Sequence, residues 1–345
     1  MDNVNNNTSR LPSWLKKRPK PSDQLHSLKS TLRCKNLHTV CEEARCPNIG
    51  ECFERGTVTI MIMGNICTRR CGFCNVQSVI PEHSISHPRL RGNDTLLEAP
   101  DPDEPRRVAE QIRDMHLKHA VITSVTRDDL PDGGAAHFAN TIHAIRSLCP
   151  ETTIEVLTPD FEGREGDIRT VCNATPQVFN HNIETVERLT PFIRNKANYR
   201  LSLDVLRIAK MYLKENIPSL CPPEADQPLA DKEGKGEVDQ QLLHDLPHPS
   251  SPYKGEGLVK SGLMVGLGEL EDEVETTLRD LKEAGCDIVT IGQYLRPSKN
   301  AIPVCEYINP KVFRKYEKLG LKLGFKSLFA GPFVRSSYMA DKVLL

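Results

Sequence analysis

Short apolar runs alternate along this chain with segments whose apolar residues recur at helical spacing. TVTIMIMG (57–64), HAVITSV (119–125), TIEVL (153–157), QVFNH (177–181), LVKSGLMVG (258–266) and DIVTIGQYL (287–295) read as strands. Between them lie amphipathic stretches. EPRRVAEQIRDMHLK carries Val108, Ile112 and Met115, and AAHFANTIHAIRSL carries Phe138, Ile142 and Ile145. DIRTVCNA and SLDVLRIAKMYLK (202–214) read as further helices. EDEVETTLRDLKEAG carries Val274, Leu278 and Leu281, with Gly285 as a stop, and Pro310 opens PKVFRKYEKLGLKLG at a first helical position.

The alternation predicts an α/β protein with a parallel sheet. Six strand–helix units fall short of the eight of a closed barrel, so the expectation is a partial (β/α)6 TIM-type barrel with N-terminal and C-terminal extensions. KSLFAGPFV (326–334) is a candidate seventh strand or a C-terminal cap. Four regions follow: a flexible arm over 1–32, for which docking on the core is the alternative, an extension over 33–56, the partial barrel over 57–325 and a C-terminal segment over 326–345. Within the barrel region, 216–257 is dense in Pro, Gly, Ser and charge, and reads as an exposed or disordered insert.

Composition narrows the possibilities. The 345 residues are 38% hydrophobic and 26% charged, with a formal charge of −1. That balance offers no basic field for nucleic acid. No apolar run is long enough to cross a bilayer, and MDNVNNNTSR has no apolar core of a secretory signal. The expectation is a cytoplasmic protein with reduced thiols.

The chemistry lies in the cysteines. Six of the twelve fall between 41 and 74, as Cys41, Cys46 and Cys52 (C-x4-C-x5-C) and Cys67, Cys71 and Cys74 (C-x3-C-x2-C). Each triplet offers one thiolate fewer than a four-iron cube takes from all-cysteine ligation. Zinc closed by a distant fourth ligand is the rival, which would make the protein a stapled, non-catalytic module. Cys34, Cys149, Cys172, Cys286 and Cys305 are scattered and read mostly as small buried hydrophobes.

The second triplet directly follows the first barrel strand, where α/β barrels keep their active sites. Thr123, Ser124, Arg127 and Asp128 follow the second strand, and either contact a cofactor or cap a turn. GLMVGLGE either admits a ligand or closes a tight turn, and Arg296 follows the sixth strand and is a candidate pocket residue. Asn65, Asn75 and Asn180 read as loop-satisfying amides, and His181 is a weak metal candidate.

C-x3-C-x2-C after a first barrel strand, with Phe73 before the last cysteine, resembles the radical S-adenosylmethionine superfamily. The upstream triplet, GTVTIMIMGNICTRRCGFC, SVTRDDLPDGGA, VLTPDFEG, HNIETV, KSGLMVGLGE, GQYLRPS and RSSY (335–338) resemble the lipoyl synthase family from about residue 33 to 340. The resemblance implies two [4Fe–4S] clusters. One is held by Cys67, Cys71 and Cys74, with an open iron for S-adenosylmethionine. The other is an auxiliary cluster held by Cys41, Cys46, Cys52 and Ser337. It implies radical insertion of two sulfur atoms, at C6 and C8 of an octanoyl group on a carrier lysine. The implied partners are octanoylated carrier domains (2-oxoacid dehydrogenase E2 subunits and the glycine cleavage H protein), a low-potential donor (ferredoxin or flavodoxin) and iron–sulfur delivery proteins. Another sulfur-inserting enzyme of the superfamily remains the alternative; biotin synthase, the nearest in chemistry, lacks the upstream triplet and RSSY.

Overall fold

The structure is a computed structural model, which describes residues 11–16, 23–54, 58–79, 97–215 and 257–337. Most of the insert expected at 216–257, with Cys221, lies outside the described residues, as does Tyr338.

In chain order, β1 (His38–Thr39) is followed by β2 (Thr59–Ile62), β3 (Ile66–Cys67), β4 (Gln77–Ser78), β5 (His119–Ser124) and β6 (Thr153–Leu157). Then come β7 (Val178–Asn180), β8 (Leu258–Val265), β9 (Ile288–Gln293) and β10 (Ser327–Gly331). The helices that bear on the argument are α1 (Asp23–Cys34), α2 (Val40–Glu43), α3 (Ile49–Glu54), α4 (Glu104–Asp114) and α5 (Ala135–Leu148). They continue with α6 (Glu165–Asn173), α7 (Thr190–Ile193), α8 (Tyr199–Glu215), α9 (Glu271–Glu283) and α10 (Pro310–Leu323).

The main sheet runs β1-β2-β5-β6-β7-β8-β9-β10. All pairings from β2 to β10 are parallel. Neighbours in the sheet are neighbours in sequence, each reached through a connection carrying helix, which is the partial barrel expected from the strand–helix alternation. α4 packs on α5, α5 on α6, and α6 on α8, forming the outer layer. The six expected strands are all present, and 327–331 joins as a seventh parallel strand beside β9. The short β1 pairs antiparallel with β2 and covers what would be the sheet's first edge.

Burial explains the strand spans. β2 is buried at all four positions, with Ile60, Met61 and Ile62 each at most 1% exposed. Each such side chain contributes about 1.5–3 kcal/mol relative to exposure. Inside the sheet, Glu155 on β6 and Lys260 on β8 are fully buried, and Lys260 Nζ donates to both carboxylate oxygens at 2.9 and 3.0 Å. α10 begins as its sequence predicts, with Pro310 first and Asn309 Oδ1 accepting from the Lys311 N–H.

Two expectations need correction. The arm assigned to 1–32 is not wholly flexible, because α1 occupies 23–34 and Leu32 sits in the main core at 1% exposure. Its polar composition hid the recurrence of Leu25, Leu28 and Leu32 at helical spacing. Of the scattered cysteines, Cys172 and Cys286 are buried as expected, but Cys34 and Cys305 are exposed.

Candidate active site

The strand ends open on a cavity of about 520 Å³, within the range of small-molecule sites. Cys67, Cys71 and Cys74 line it, and so do Cys41 and Cys46. Ser337 lines it as well, from the far end of the chain. Cys52, on α3, is half-buried against the main core and does not reach the cavity wall. No described cysteine forms a disulfide.

The Cys67–Cys74 loop is fixed on several sides. β3 and β4 pair in parallel and close its base. Thr68 donates from both its N–H and its hydroxyl to the Thr126 carbonyl, and the Asp128 N–H donates to Thr68 Oγ1. Gly72 is held at both backbone groups, its N–H on the Ile193 carbonyl and its carbonyl accepting from the Ile302 N–H. A Cβ at Gly72 would lie 2.9 Å from Ile302 Cγ2, so this approach requires glycine. Backbone N–H groups of Arg69 and Val76 point to the sulfurs of Cys67 and Cys74, both at 3.4 Å.

Arg69, in the same loop, is a residue that sequence reasoning missed. Its guanidinium lies between Asp128 and Asp160 and donates to both in forked geometry, at 2.5–3.2 Å. Burial favours the neutral form, but the hydrogen bonds of Asp160 and then Asp128 outweigh it and hold Arg69 charged. Asp160 belongs to the quoted VLTPDFEG stretch, and its place after a strand was the available signal. Glu184 and Asn182, from HNIETV after β7, also line the cavity. Burial raises the Glu184 carboxyl, which stands beside Arg194.

The remaining expected residues divide. Thr123, Ser124 and Arg296 line the cavity. The Ser124 hydroxyl is buried with no partner, leaving it available to a ligand. Thr123 Oγ1 donates to the Leu157 carbonyl, and Arg296 Nε to the Ala301 carbonyl. Arg127 and Asp128 are not on the cavity wall. Arg127 turns to Asp129 and the Glu98 carbonyl, and Asp128 serves Arg69. These two follow the capped-turn alternative. His181 is not a metal candidate, because both its ring nitrogens are engaged within the core. One contacts the Thr158 carbonyl and the other Ser202 Oγ, both at 3.0 Å. Asn75 satisfies its loop as expected, donating to the Glu43 carbonyl and so tying the second triplet's loop to α2.

The C-terminal segment approaches the first triplet near Cys41 and Cys46. The Cys41 thiol is in hydrogen-bond contact with Thr59, and Thr59 Oγ1 donates to Ser337 Oγ at 2.8 Å. Asn48 Nδ2 donates to the Phe333 carbonyl at 2.7 Å. Arg335 lies close enough to Cys46 to feel its charge.

Burial pushes the thiols of Cys71 and Cys41 up to about 12 and about 11. A thiolate is stable in such places only against positive charge, which a coordinating metal centre supplies. Among the described residues no three His, Cys, Asp or Glu side chains converge closely enough to hold one ion. A cube takes each thiolate at a different iron, from a wider triangle. Cys67, Cys71 and Cys74 share one cavity wall, a donor set that fits such a cube.

The parallel strands and the cysteine loop at their ends define a radical S-adenosylmethionine protein, and the model of that superfamily matches residues 61–230. The superfamily implies a [4Fe–4S] cluster and S-adenosylmethionine. Residues 1–46 match the N-terminal domain of lipoyl synthase. The lipoyl synthase of Rubrobacter xylanophilus is 47% identical over 331 residues, covering 96% of this chain and 85% of the relative. That of Caldanaerobacter subterraneus subsp. tengcongensis is 46% identical over 334 residues, covering 97% of each. That of Thermus thermophilus is 43% identical, covering 97% of this chain and 86% of the relative. The chain belongs to the lipoyl synthase family.

Proposed function

We propose that the chain is a sulfurtransferase that converts octanoyl groups, bound to lysines of lipoyl carrier domains, into lipoyl groups. The observation carrying this reading is that Cys41 and Cys46 open on the same cavity as Cys67, Cys71 and Cys74. Sulfur must wait within contact of the carbon that loses hydrogen, and one shared cavity meets that requirement.

In this reading Cys67, Cys71 and Cys74 hold one cluster, and Cys41, Cys46, Cys52 and Ser337 hold a second. When bound, these groups supply the electron that cleaves S-adenosylmethionine to a hydrogen-abstracting 5′-deoxyadenosyl radical, and the sulfur that replaces hydrogen at C6 and C8. The chain's own residues do the rest. Arg69, braced by Asp128 and Asp160, keeps the cysteine loop still. Ser124 offers an unused hydroxyl to the cofactor, beside Thr123 and Arg296. Met61, Leu157, Leu263 and Met264 give the octanoyl chain an apolar wall. Ser337 contributes an oxygen, a harder and more readily released ligand than thiolate, suited to a cluster that must give up sulfur.

The division into an auxiliary extension at 33–56, a barrel at 57–325 and a ligand-bearing segment at 326–345 serves this chemistry. The partners are octanoylated E2 subunits and H protein, a ferredoxin or flavodoxin as donor, and cluster-delivery proteins. Reduced thiols suit the cytoplasm, and among the described residues no helix is long and apolar enough to cross a membrane.

Anaerobic reconstitution should give about eight irons per chain, four for each cube. The reconstituted protein, given reductant, S-adenosylmethionine and an octanoyl-lysine peptide, should yield 5′-deoxyadenosine and dithiolated peptide by mass spectrometry. Replacing Cys41, Cys46 and Cys52 with Ala should keep the first product and abolish the second. Replacing Cys67, Cys71 and Cys74 should abolish both. Dithiolated peptide from the first variant would overturn the sulfur-donor role, and a colourless protein containing zinc would favour the stapled module.

A further inference from the structure

The two serines before Tyr338 are adjacent in sequence and differ in their bonding. Ser337 Oγ accepts from Thr59 Oγ1, the hydroxyl that also contacts Cys41. Ser336 Oγ is engaged on both sides within the barrel mouth. It accepts from Asn180 Nδ2 at 2.8 Å and donates to Asn182 Oδ1 at 2.9 Å.

Behind Ser336 the contacts continue into the sheet. Asn180, at the end of β7, is fully buried, and its Nδ2 also donates to Glu155 Oε1 at 2.9 Å. Glu155 is in turn bound to Lys260 by the buried ion pair. In the other direction Asn182 Nδ2 donates to Glu184 Oε1 at 3.1 Å, on the wall shared with Cys71 and Cys74. Ser336 thus stands on a polar chain rooted in the most deeply buried charges of the fold.

We propose that Ser336 is a positioning residue, a latch that fixes the C-terminal segment so that the Ser337 hydroxyl faces the Cys41, Cys46 and Cys52 triplet. This rests on the reading of Ser337 as that triplet's fourth ligand. A hydroxyl is a weak ligand, and its hold depends on being presented within about 0.5 Å of the required place by surrounding bonds. The neighbouring residue is the closest point at which the segment can be pinned. With Ser336 held at β7 and Ser337 at β2, the peptide between them has little freedom to swing. The Ser336 hydroxyl has one lone pair and its proton committed to two asparagines, which hold it on the β7 side. Loss of the Ser336 hydroxyl leaves Ser337 chemically intact but free to move off the triplet.

The test uses the full chain with Cys67, Cys71 and Cys74 replaced by Ala, so that only the auxiliary cluster can be loaded. Cluster loss to an excess of iron chelator is followed by its visible absorption, and the Mössbauer spectrum is recorded for each variant. Ser336→Ala should lose cluster several-fold faster than its parent, approaching Ser337→Ala, and its spectrum should show the same altered iron site. Ser336→Thr keeps the hydroxyl and should restore the parent's rate. In the complementary background lacking Cys41, Cys46 and Cys52, Ser336→Ala should leave the other cluster's resistance to chelator unchanged. The latch is overturned if Ser336→Ala retains the parent's rate, or if both backgrounds weaken equally. If Ser337→Ala matches its parent while Ser336→Ala does not, the reading of Ser337 as ligand fails instead.

Discussion

Arg69 and Asp160 meet at 2.5 Å, both buried, though 91 positions separate them. One lies in the cysteine loop and the other just after β6, so the pair fixes the loop to the barrel. Asp160 is only 1% exposed. Arg69→Ala leaves its carboxylate without that cation, a loss of about 3–5 kcal/mol for a broken buried pair. Arg69→Lys should recover little, because an ammonium cannot reach two carboxylates in forked geometry. Thermal unfolding, with iron retention in the Cys41, Cys46 and Cys52 triple-Ala background, measures both effects. Unchanged melting and iron in Arg69→Ala would show that the pair is incidental.

Gly292, on β9, lies against the C-terminal segment. A Cβ there would come 2.2 Å from the Val334 carbonyl oxygen and 3.1 Å from Arg335 Nη1. Gly292→Ala must therefore displace residues 334–335, two positions before Ser337. Overpacking of this kind costs about 1–3 kcal/mol. The auxiliary cluster should be lost preferentially while the cluster at Cys67, Cys71 and Cys74 is kept. Iron counting in the two triple-Ala backgrounds separates them, and equal loss from both would refute the local effect.

Lys260 and Glu155 are a buried pair whose partners depend on each other. Burial would raise the Glu155 carboxyl, but Lys260 and then His119 bring it down to about 2. Its folded value lies below its ordinary one of 4.5. The stability it contributes is therefore present above about pH 4.5 and lost as pH falls toward 2. Glu155→Gln should destabilise by about 3–5 kcal/mol because it leaves Lys260 buried without its partner carboxylate, and Lys260→Met in the same chain should recover part of it. Denaturant titration of the single and double variants checks this. A double variant worse than both singles would contradict the pairing.

His181 gives a second pH dependence at milder acidity. Burial, then the Arg194 charge, lowers it from 6.5 to about 4. A group with a depressed folded value takes up its proton on unfolding, so stability is full above pH 6.5 and falls as pH drops toward 4. The loss is about 3 kcal/mol at 1.36 kcal/mol per unit. Denaturation midpoints at several pH values should show it, and His181→Asn should flatten that part of the profile. An unchanged slope in the variant would assign the effect elsewhere.

The residues legible in the sequence were those whose chemistry is encoded locally. Six barrel strands showed as apolar runs because they are buried on both faces, and both cysteine triplets showed by spacing. Arg69 was overlooked because nothing in CTRRCGFC distinguishes a clamp from a surface charge until Asp128 and Asp160 fold beside it. Arg127 and Asp128 show the converse. Both follow a strand at the correct end, yet one turns to Asp129 and the other to Arg69, and only packing decides which side chains face a cavity. β1 was missed because two residues carry no period. α1 was missed because its leucines sit in an otherwise polar stretch.

The proposed auxiliary site joins residues 41–52 to residue 337, and Thr59 and Ser337 alone are 278 positions apart. Chains are made from the N-terminus at about 5–20 residues per second, so the three thiols wait on the order of tens of seconds for their oxygen partner. A nascent or C-terminally clipped chain thus offers an incomplete ligand set. The same arrangement would let the proposed site report on translation: a stably closed auxiliary centre would mark a polypeptide made at least as far as residue 337.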